Sequence, residues 1–308
     1  MPRTPQLTLP DLTGRRAVVT GGSDGIGLVI ARRLAENGAE VVLPVRNLAK
    51  GERAVARIRE GHPGARLVLH PMDLASLASV RSFAAGLVED AAPVHLLINN
   101  AGLMTPPEHQ RTVDGFEVQL GTNHIGHAAL VAHLLPLLRA GSARVVSQTS
   151  VAARSAAPDW ADPQSERSYD AMRAYRQSKL VQALFALELS RRSEAGGWGL
   201  SSVLVHPGVA PTSLLASRPE IGRSRDTVSV RVVRALSRIG LVGTAESAAL
   251  PALMAATVAA PRDFYGPQGP GSAGGRPGPQ PLWRPLRSEE DAATAWELTQ
   301  QWAGIVWP

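Results

Sequence analysis

Short apolar runs alternate along this chain with longer stretches in which apolar residues recur every three or four positions. The short runs predict six strands, at 17–19, 41–43, 67–69, 96–98, 145–146 and 203–205. The longer stretches predict helices near 25–37, 48–60, 76–91, 112–139 and 170–195. Apolar strands separated by helices indicate a parallel sheet that is covered on both faces. With right-handed crossovers, this pattern predicts a doubly wound α/β sheet whose ligands bind at the carboxyl ends of the strands.

Two stretches interrupt the alternation. Residues 209–242 form an arginine-rich insertion after the sixth strand, which we predict to be a lid over the substrate. Residues 266–281 contain eleven glycines or prolines in sixteen positions, which predicts a loop. A last helix is expected at 288–304, with Ser288 as its N-cap and Asp291 completing a capping box. We expect residues 1–308 to form one domain.

Composition excludes several classes of function. The chain has no cysteine, which excludes disulfides, thiolate metal sites and thiol nucleophiles. Its net charge of +6 comes from arginines spread over the whole length, so we expect no nucleic-acid partner. No apolar run approaches the ~18 residues of a membrane-spanning helix, and the N-terminus resembles no signal peptide. We therefore expect a cytoplasmic protein without a membrane anchor, and leave open whether it forms a homo-oligomer.

Tyr175 and Lys179 form a specific pair because both residue types are scarce: the chain has three tyrosines and two lysines. Four residues apart on a helix, their side chains lie on one face, one turn apart. A lysine ammonium beside a phenol favours the phenolate, which lowers the pKa of the phenol towards working pH. The pair therefore predicts a tyrosine that exchanges protons. A solvated pair on an ordinary helix is the alternative.

A glycine-rich segment, T-G-G-S-D-G-I-G at 20–27, follows the first predicted strand and opens a helix. Glycines permit a tight turn and close approach of the backbone to a pyrophosphate, and a helix N-terminus supplies free N–H groups. A simple strand-to-helix turn is the alternative. Because the segment stands between a strand and a helix, we favour a dinucleotide site.

The end of the second strand indicates which dinucleotide binds. NAD is held by a carboxylate at this point, whereas an arginine suits the 2′-phosphate of NADP. The chain has Val45 and Arg46 here. We therefore predict NADP(H) and consider NAD(H) the less favoured cofactor. The alternative for Arg46 is a solvent-facing loop charge, and Asp24 is a small mark against the prediction because it puts a negative charge in the glycine-rich segment.

Together with the spacing T-G-x-x-x-G-I-G, the order of motifs resembles the compact short-chain dehydrogenase/reductase family, whose members have one Rossmann-type domain. The resemblance runs from about residue 14 to the C-terminus. The other matching segments are M-D-L at 72–74, N-N-A-G at 99–102, T-N-H at 122–124, S-Q-T-S at 147–150 and H-P-G-V-A-P-T at 206–212. The strings R-N at 46–47, N-H-I-G-H at 123–127 and A-W-E-L at 295–298, with the long loop 153–172, resemble the retinol-dehydrogenase-like and protochlorophyllide-reductase-like branch.

The resemblance implies roles for individual residues. The implied catalytic residues are Asn123, Ser150, Tyr175 and Lys179. The implied cofactor contacts are Gly21, Ser23, Asp24, Gly25, Ile26, Gly27, Arg46, Asp73, Leu74, Asn100, Ala101, Gly102, Tyr175, Lys179, Pro207, Gly208, Val209 and Thr212. In reduction, Ser150 would bind the carbonyl oxygen, Tyr175 would protonate it, and Asn123 would link Lys179 to solvent through a water molecule.

We therefore predict an NADP(H)-dependent carbonyl reductase or alcohol dehydrogenase. Its expected site is lined by Leu103, Met104, Val151, Leu214 and Leu215, which favours a bulky, apolar substrate. The alternative is a non-catalytic NADP-binding sensor or scaffold on the same fold. An epimerase or a dehydratase is disfavoured by the glycine spacing.

Several other residues offer alternative chemistry. Tyr169 is a second candidate acid, but it has no lysine partner. His124, His127 and His133 suggest a metal site, although their spacing matches no zinc motif, and we favour packed or exposed histidines and expect no metal. Arg231, Arg234 and Arg238 share one helical face, which we expect to be solvated, with a partner or substrate surface as the alternative.

Overall fold

The computed structural model describes residues 5–211, 222, 237, 242–258 and 263–308. Within these residues one sheet runs through the molecule, in the strand order β3-β2-β1-β4-β5-β6-β7-β8. Every neighbouring pair is parallel except β7 and β8. The strands are β1 Arg16–Val19, β2 Glu40–Val45, β3 Leu67–Pro71, β4 Leu96–Asn99, β5 Arg144–Gln148, β6 Ser201–Val205, β7 Phe264–Pro267 and β8 Pro277–Pro279. The six predicted strands are confirmed.

Helices cover both faces of the sheet, as the alternating pattern predicts. In chain order they are α1 Gly25–Glu36, α2 Leu48–Gly61, α3 Leu77–Glu89, α4 Gly126–Ala140, α5 Ala171–Ala195, α6 Ala245–Thr257 and α7 Glu289–Ala303. Apolar residues of α1, α2 and α6 share one hydrophobic cluster with the sheet, and those of α3, α4, α5 and α7 share the other. Neighbouring residues of a strand point to opposite clusters, for example Ala17 and Val18. This two-sided burial explains why the strands are apolar along their whole length.

The strand order reverses between β1 and β4. The chain proceeds from β1 to β2 and β3 on one side, and from β4 to β5 and β6 on the other. The loops that follow β1 and β4 therefore diverge, which leaves a crevice at the carboxyl edge between them. Thr20 and Asn100 follow these two strands and meet at this edge, where Asn100 Nδ2 donates to the Thr20 carbonyl at 2.9 Å.

One predicted helix is interrupted. The pattern at 112–139 predicts a continuous helix, but the structure has one helical turn at Val118–Leu120, a π-helical turn at Gly121–Ile125 and then α4. Before the first turn, residues 111–117 form a loop that is closed by a bridge between Arg111 and Glu117. The Glu117 carboxylate then accepts the Leu120 N–H at 2.7 Å and starts the helical turn. Apolar periodicity alone does not predict the loop or the π-helical turn.

The stretch 266–281 is more ordered than the predicted loop. It contains the end of β7 and all of β8, which pair in antiparallel fashion at the edge of the sheet. Prolines are tolerated here because an edge strand has no partner on its outer side. The predicted N-cap at Ser288 is confirmed: its Oγ accepts the Asp291 N–H at 3.0 Å. The predicted capping box is not formed, because the Asp291 carboxylate accepts the Trp160 indole N–H at 2.8 Å.

Most of the predicted lid at 209–242, including Thr212 and the Arg231, Arg234 and Arg238 stripe, lies outside the described residues. None of the described helices is long and apolar enough to cross a membrane.

Candidate active site

The glycine-rich segment forms a tight turn at the crevice. Gly21 has a φ of +67°, and a Cβ there would lie 3.0 Å from the Cα of Ala101. A Cβ on Gly27 would lie 2.3 Å from the Gly21 carbonyl oxygen. Both positions therefore require glycine. The start of α1 follows β1 at the carboxyl edge of the sheet, and a helix N-terminus at this place fits a dinucleotide pyrophosphate.

The charge of Asp24 is balanced locally. Its side chain caps α1 by accepting the Gly25 N–H at 2.7 Å. Its other oxygen lies 2.6 Å from Nζ of Lys50. The pairing reduces the objection that Asp24 raises against a nearby phosphate. Lys50, the other lysine of the chain besides Lys179, was not among the predicted cofactor contacts. Its spacing of four residues from Arg46 is the sequence feature that indicates it.

Arg46 is exposed directly after β2, at the carboxyl edge where the sequence predicts the cofactor phosphate. Its side chain is therefore accessible to solvent at this edge of the sheet. Because the Lys50 charge is paired with Asp24, Arg46 is the residue that contributes positive charge at the end of β2. The donors fit a 2′-phosphate better than a ribose hydroxyl, since a hydroxyl is normally matched by a carboxylate.

The N-N-A-G segment lies between the glycine-rich turn and the predicted catalytic residues. Asn100 donates to the Thr20 carbonyl, and its Oδ1 accepts from Nε2 of Gln148 at 3.1 Å. A Cβ on Gly102 would lie 3.0 Å from Asn123 Oδ1 and 3.6 Å from Lys179 Nζ. The missing side chain at Gly102 therefore leaves room beside both groups.

The other predicted cofactor residues lie along the same edge. Asp73 caps the turn after β3, where its Oδ1 accepts the Ala75 N–H at 2.9 Å, and Leu74 is buried beside it. After β6, the Val209 N–H donates to the Ala273 carbonyl at 2.8 Å. Gly208 has a φ of +75°, where a side chain would be strained. Ser23 and Ile26 are half-buried in the first turn, and Pro207 is half-buried after β6.

Tyr175 and Ser150, two of the predicted catalytic residues, lie in contact with each other. Ser150 follows β5, and its Oγ caps a short 3-10 helix by accepting the Ala152 N–H at 3.2 Å. Tyr175 lies near the start of α5 and is 4% exposed. Burial raises the pKa of Tyr175, and a hydrogen bond with the Ser150 side chain lowers it. A direct hydrogen bond therefore joins the two side chains.

Lys179 lies one turn further along α5 and is also buried. Its Nζ donates to the Gln148 carbonyl and to Oε1 of Gln182, both at 2.9 Å. Burial lowers the pKa of Lys179 to about 7. The predicted lowering of the Tyr175 pKa by Lys179 is not seen here, because burial of the phenol dominates its pKa. A pKa in this range allows Lys179 to change its protonation state near neutral pH.

The buried lysine predicts a pH dependence of stability. Its folded pKa of about 7 lies below the value of 10.5 for an unperturbed lysine. Between these values the unfolded chain binds a proton that the folded chain lacks, so the free energy of unfolding rises with pH. Urea unfolding of the cofactor-free protein should show a gain approaching about 1.4 kcal/mol per pH unit above pH 7.

Lys179→Met should remove this rise, whereas Lys50→Met, a change at the only other lysine, should preserve it. An equally steep rise in Lys179→Met would contradict the assignment of the titration to Lys179.

Asn123 lies in the π-helical turn and is fully buried. Its side chain is held at both ends of the amide: Oδ1 accepts the Leu103 N–H at 2.8 Å, and Nδ2 donates to the Leu103 carbonyl at 3.0 Å. Nδ2 also donates to Ser178 Oγ at 2.9 Å. The residue is thus fixed between the N-N-A-G segment and α5, next to the space at Gly102.

The long loop 153–172 is fastened to the segment before α4. The Tyr169 hydroxyl donates to the Pro106 carbonyl at 2.9 Å, and its ring packs edge-on against His109. Burial is the largest cause of a rise in the Tyr169 pKa. Tyr169 therefore holds the loop, and no feature makes it a proton donor. Of the apolar residues predicted around the substrate, Leu103 is buried and Met104 and Val151 are half-buried. Leu214 and Leu215 lie outside the described residues.

The histidines are packing and hydrogen-bonding groups in this structure. His124 Nε2 lies 2.7 Å from Thr299 Oγ1 on α7, and burial lowers the pKa of His124 to about 3. His133 is half-buried on α4. In the part of the chain that the structure describes, no three His, Cys, Asp or Glu residues are grouped to hold a metal ion.

Comparison with known proteins identifies relatives of this chain. A family model described as short chain dehydrogenase matches residues 15–220. Human retinol dehydrogenase 12 is 40% identical over 205 residues, which are 66% of this chain and 64% of the human protein. Polyprenol dehydrogenase of Mus musculus is 44% identical over 211 residues, 67% of this chain and 63% of the mouse protein. The matched region thus spans less than two thirds of these relatives.

Solved structures extend the likeness to the fold. A crystal structure of an uncharacterised protein from Mycobacterium Paratuberculosis has a TM-score of 0.78 and 33% identity, covering 97% of both chains. A short chain dehydrogenase from Burkholderia cenocepacia J2315, crystallised in complex with NADP, has a TM-score of 0.62 and 26% identity, covering 80% of this chain and 92% of that one.

Proposed function

The chain belongs to the short chain dehydrogenase family, in its retinol-dehydrogenase-like branch, and on this premise we propose that it is an NADP(H)-dependent carbonyl reductase. The reverse reaction, oxidation of the alcohol, uses the same groups. The observation that carries the proposal is the buried Tyr175 hydroxyl, bonded to Ser150 and followed one turn later by Lys179. This set lies at the carboxyl edge of the sheet, beside the space left by Gly102.

The chemistry follows from these side chains. When bound, NADPH supplies the hydride that reduces the carbonyl carbon. The Ser150 hydroxyl donates a hydrogen bond to the carbonyl oxygen, where negative charge develops. Tyr175 gives its proton to the same oxygen as general acid. In its charged form Lys179 favours the resulting phenolate, and Asn123 connects the lysine to solvent through water.

NADP(H) is the cofactor that the residues favour. The N–H groups at the start of α1 would hold the pyrophosphate, and Arg46 with Lys50 would hold the 2′-phosphate. Asp73 and Leu74 would contact the adenine, while Pro207 to Thr212 would contact the nicotinamide. The NADP complex of the Burkholderia relative supports this choice.

The substrate class that fits best is a long, apolar carbonyl compound. In the proposed site, Leu103, Met104 and Val151 would provide an apolar lining beside the catalytic hydroxyls. The names of two relatives, retinol dehydrogenase and polyprenol dehydrogenase, both point to isoprenoid alcohols. We therefore propose an isoprenoid aldehyde or a ketone of similar bulk.

A substrate panel tests the proposal. NADPH consumption should be measured with retinal, a polyprenal, a steroid ketone and a short polar aldehyde as the matched control. We expect turnover with at least one long apolar carbonyl and a much smaller kcat/KM for the short aldehyde. NADPH binding without consumption on any member would contradict the proposed reaction and favour a sensor.

A further inference from the structure

A buried chain of hydrogen bonds joins the nucleotide-binding turn to the relay asparagine through His127. Thr20 Oγ1 lies 2.9 Å from Nε2 of His127, and Nδ1 of the same ring lies 2.9 Å from the Asn123 carbonyl oxygen. At the other end, Thr20 Oγ1 accepts the N–H groups of Asn100 and Ala101, both at 3.0 Å. Thr20 and His127 are 107 residues apart in the sequence.

The direction of each bond is set by its partners. A carbonyl oxygen only accepts, so the proton of the His127 ring is on Nδ1. Burial lowers the pKa of His127 to about 3, so the ring is neutral and Nε2 is an acceptor. The Thr20 hydroxyl therefore donates to Nε2, while its oxygen accepts the two N–H groups of the N-N-A-G segment. Each group therefore donates to the next in the series, from the N–H groups of Asn100 and Ala101 to the carbonyl of Asn123. Hydrogen bonds in such a series strengthen one another.

The fold brings His127 into place by a close contact at Gly126. A Cβ on Gly126 would lie 2.3 Å from the Leu74 carbonyl oxygen, so only glycine allows α4 to start at this depth. His127 is four residues beyond Asn123, and its ring therefore reaches back to the Asn123 carbonyl. The participants are almost fully buried, with exposures of 1% for Thr20, 0% for Asn123 and 2% for His127. Solvent cannot replace a lost partner without rearrangement.

We propose that His127 is a positioning residue, which holds the backbone of Asn123 to the nucleotide-binding turn and so keeps the relay asparagine beside Lys179. The inference rests on the proposed function, because it assigns the histidine to the proton relay of that reaction. The His127 ring does not itself exchange protons with substrate. It fixes the π-helical turn in which Asn123 sits.

Removal of the imidazole ring affects its two partners differently. The Thr20 hydroxyl lies 3.3 Å from the Ile98 carbonyl, so it has a second acceptor. The Asn123 carbonyl loses the imidazole donor. His127→Leu should therefore leave NADPH binding within about 3-fold of wild type. It should lower kcat by about 10- to 100-fold, the scale expected when a reacting group is displaced by ~1 Å.

Two amide variants separate the two ends. His127→Asn places an amide N–H close to the position of Nδ1, which keeps a donor for the Asn123 carbonyl. His127→Gln places its amide near the position of Nε2, which keeps a partner for Thr20 only. We expect His127→Asn to keep most of the wild-type kcat and His127→Gln to lose nearly as much as His127→Leu. Equal values for the two variants, or a better Gln variant, would overturn the proposed role.

A double-mutant cycle tests whether His127 acts through Asn123. If it does, His127→Leu should lower kcat by no more than about 2-fold in an Asn123→Ala background, because the group being positioned is already absent. Full additivity of the two changes would overturn the proposal. A parallel loss of NADPH affinity and kcat in His127→Leu would indicate a merely structural role and would overturn it equally.

The state of the ring gives a readout that does not depend on turnover. Nitrogen NMR of the full-length protein should show His127 as the neutral Nδ1–H tautomer at neutral pH, with the signal assigned by its loss in His127→Asn. An Nε2–H tautomer or a charged ring would overturn the chain of bonds. Turnover of the wild type and of Tyr175→Phe is measured first. An inactive wild type would refute the proposed reaction, and the NMR result would still show whether the chain of hydrogen bonds exists.

Discussion

Replacing Tyr175 by phenylalanine should lower kcat for carbonyl reduction by about 10²- to 10⁴-fold, the range that a general acid contributes. The change removes one hydroxyl from a ring that is 4% exposed and leaves the packing of the ring in place. Ser150 loses its hydroxyl partner and alone donates to the carbonyl oxygen. NADPH affinity should stay within a few-fold of wild type. Steady-state kinetics and fluorescence titration of NADPH measure the two quantities.

Tyr169→Phe is the matched control, because it removes the hydroxyl of another tyrosine from the same part of the chain. That hydroxyl donates to the Pro106 carbonyl and holds a loop. We expect Tyr169→Phe to retain kcat within about 5-fold, the effect of one lost neutral hydrogen bond. Undiminished turnover in Tyr175→Phe, or a larger loss in Tyr169→Phe, would refute the assignment of the acid.

Replacing Arg46 by aspartate should reverse the cofactor preference. The change removes charge-assisted hydrogen bonds to the 2′-phosphate and adds a carboxylate that suits a ribose hydroxyl. At about 1.5–3 kcal/mol for each bond to a charged group, kcat/KM for NADPH should fall by about 100-fold or more. The value for NADH should rise, with kcat at saturation little changed because Arg46 lies far from the reacting atoms along the crevice.

Arg57→Asp provides the same change of charge on the exposed face of α2. It should leave the ratio of NADPH to NADH close to that of wild type, which separates a specific contact from a general change in potential. An unchanged ratio in Arg46→Asp would show that Arg46 is not the phosphate contact. Lys50→Met would then become the variant to examine, since its ammonium already lies 2.6 Å from Asp24.

Local features of the fold could be predicted because they depend on residues that are close together in the sequence. Continuous apolar runs located the six strands before β7, and a serine followed by acidic residues located the start of α7 at Glu289. Glycine spacing located the turn at Gly21, whose positive φ favours glycine. The spacing of Tyr175 and Lys179 placed both on one buried face of α5.

The remaining features depend on contacts between distant residues. Apolar periodicity does not predict the π-helical turn at Asn123. The pairing of Asp24 with Lys50 requires β2 to lie beside β1. The bond from Thr20 to His127 likewise needs the assembled sheet. The pKa of Tyr175 shows the same limit: spacing gave the lysine neighbour, but only the folded structure shows that burial dominates.

The central claim is that NADPH gives its hydride to a carbonyl carbon while Tyr175 supplies the proton. Deuteride transfer tests this most directly. With NADPH deuterated at the transferring C4 position, we expect an alcohol product carrying one deuterium at the former carbonyl carbon, formed one-to-one with oxidised cofactor and lost in Tyr175→Phe. Product without deuterium at that carbon, or transfer that continues at the wild-type rate in Tyr175→Phe, would contradict it.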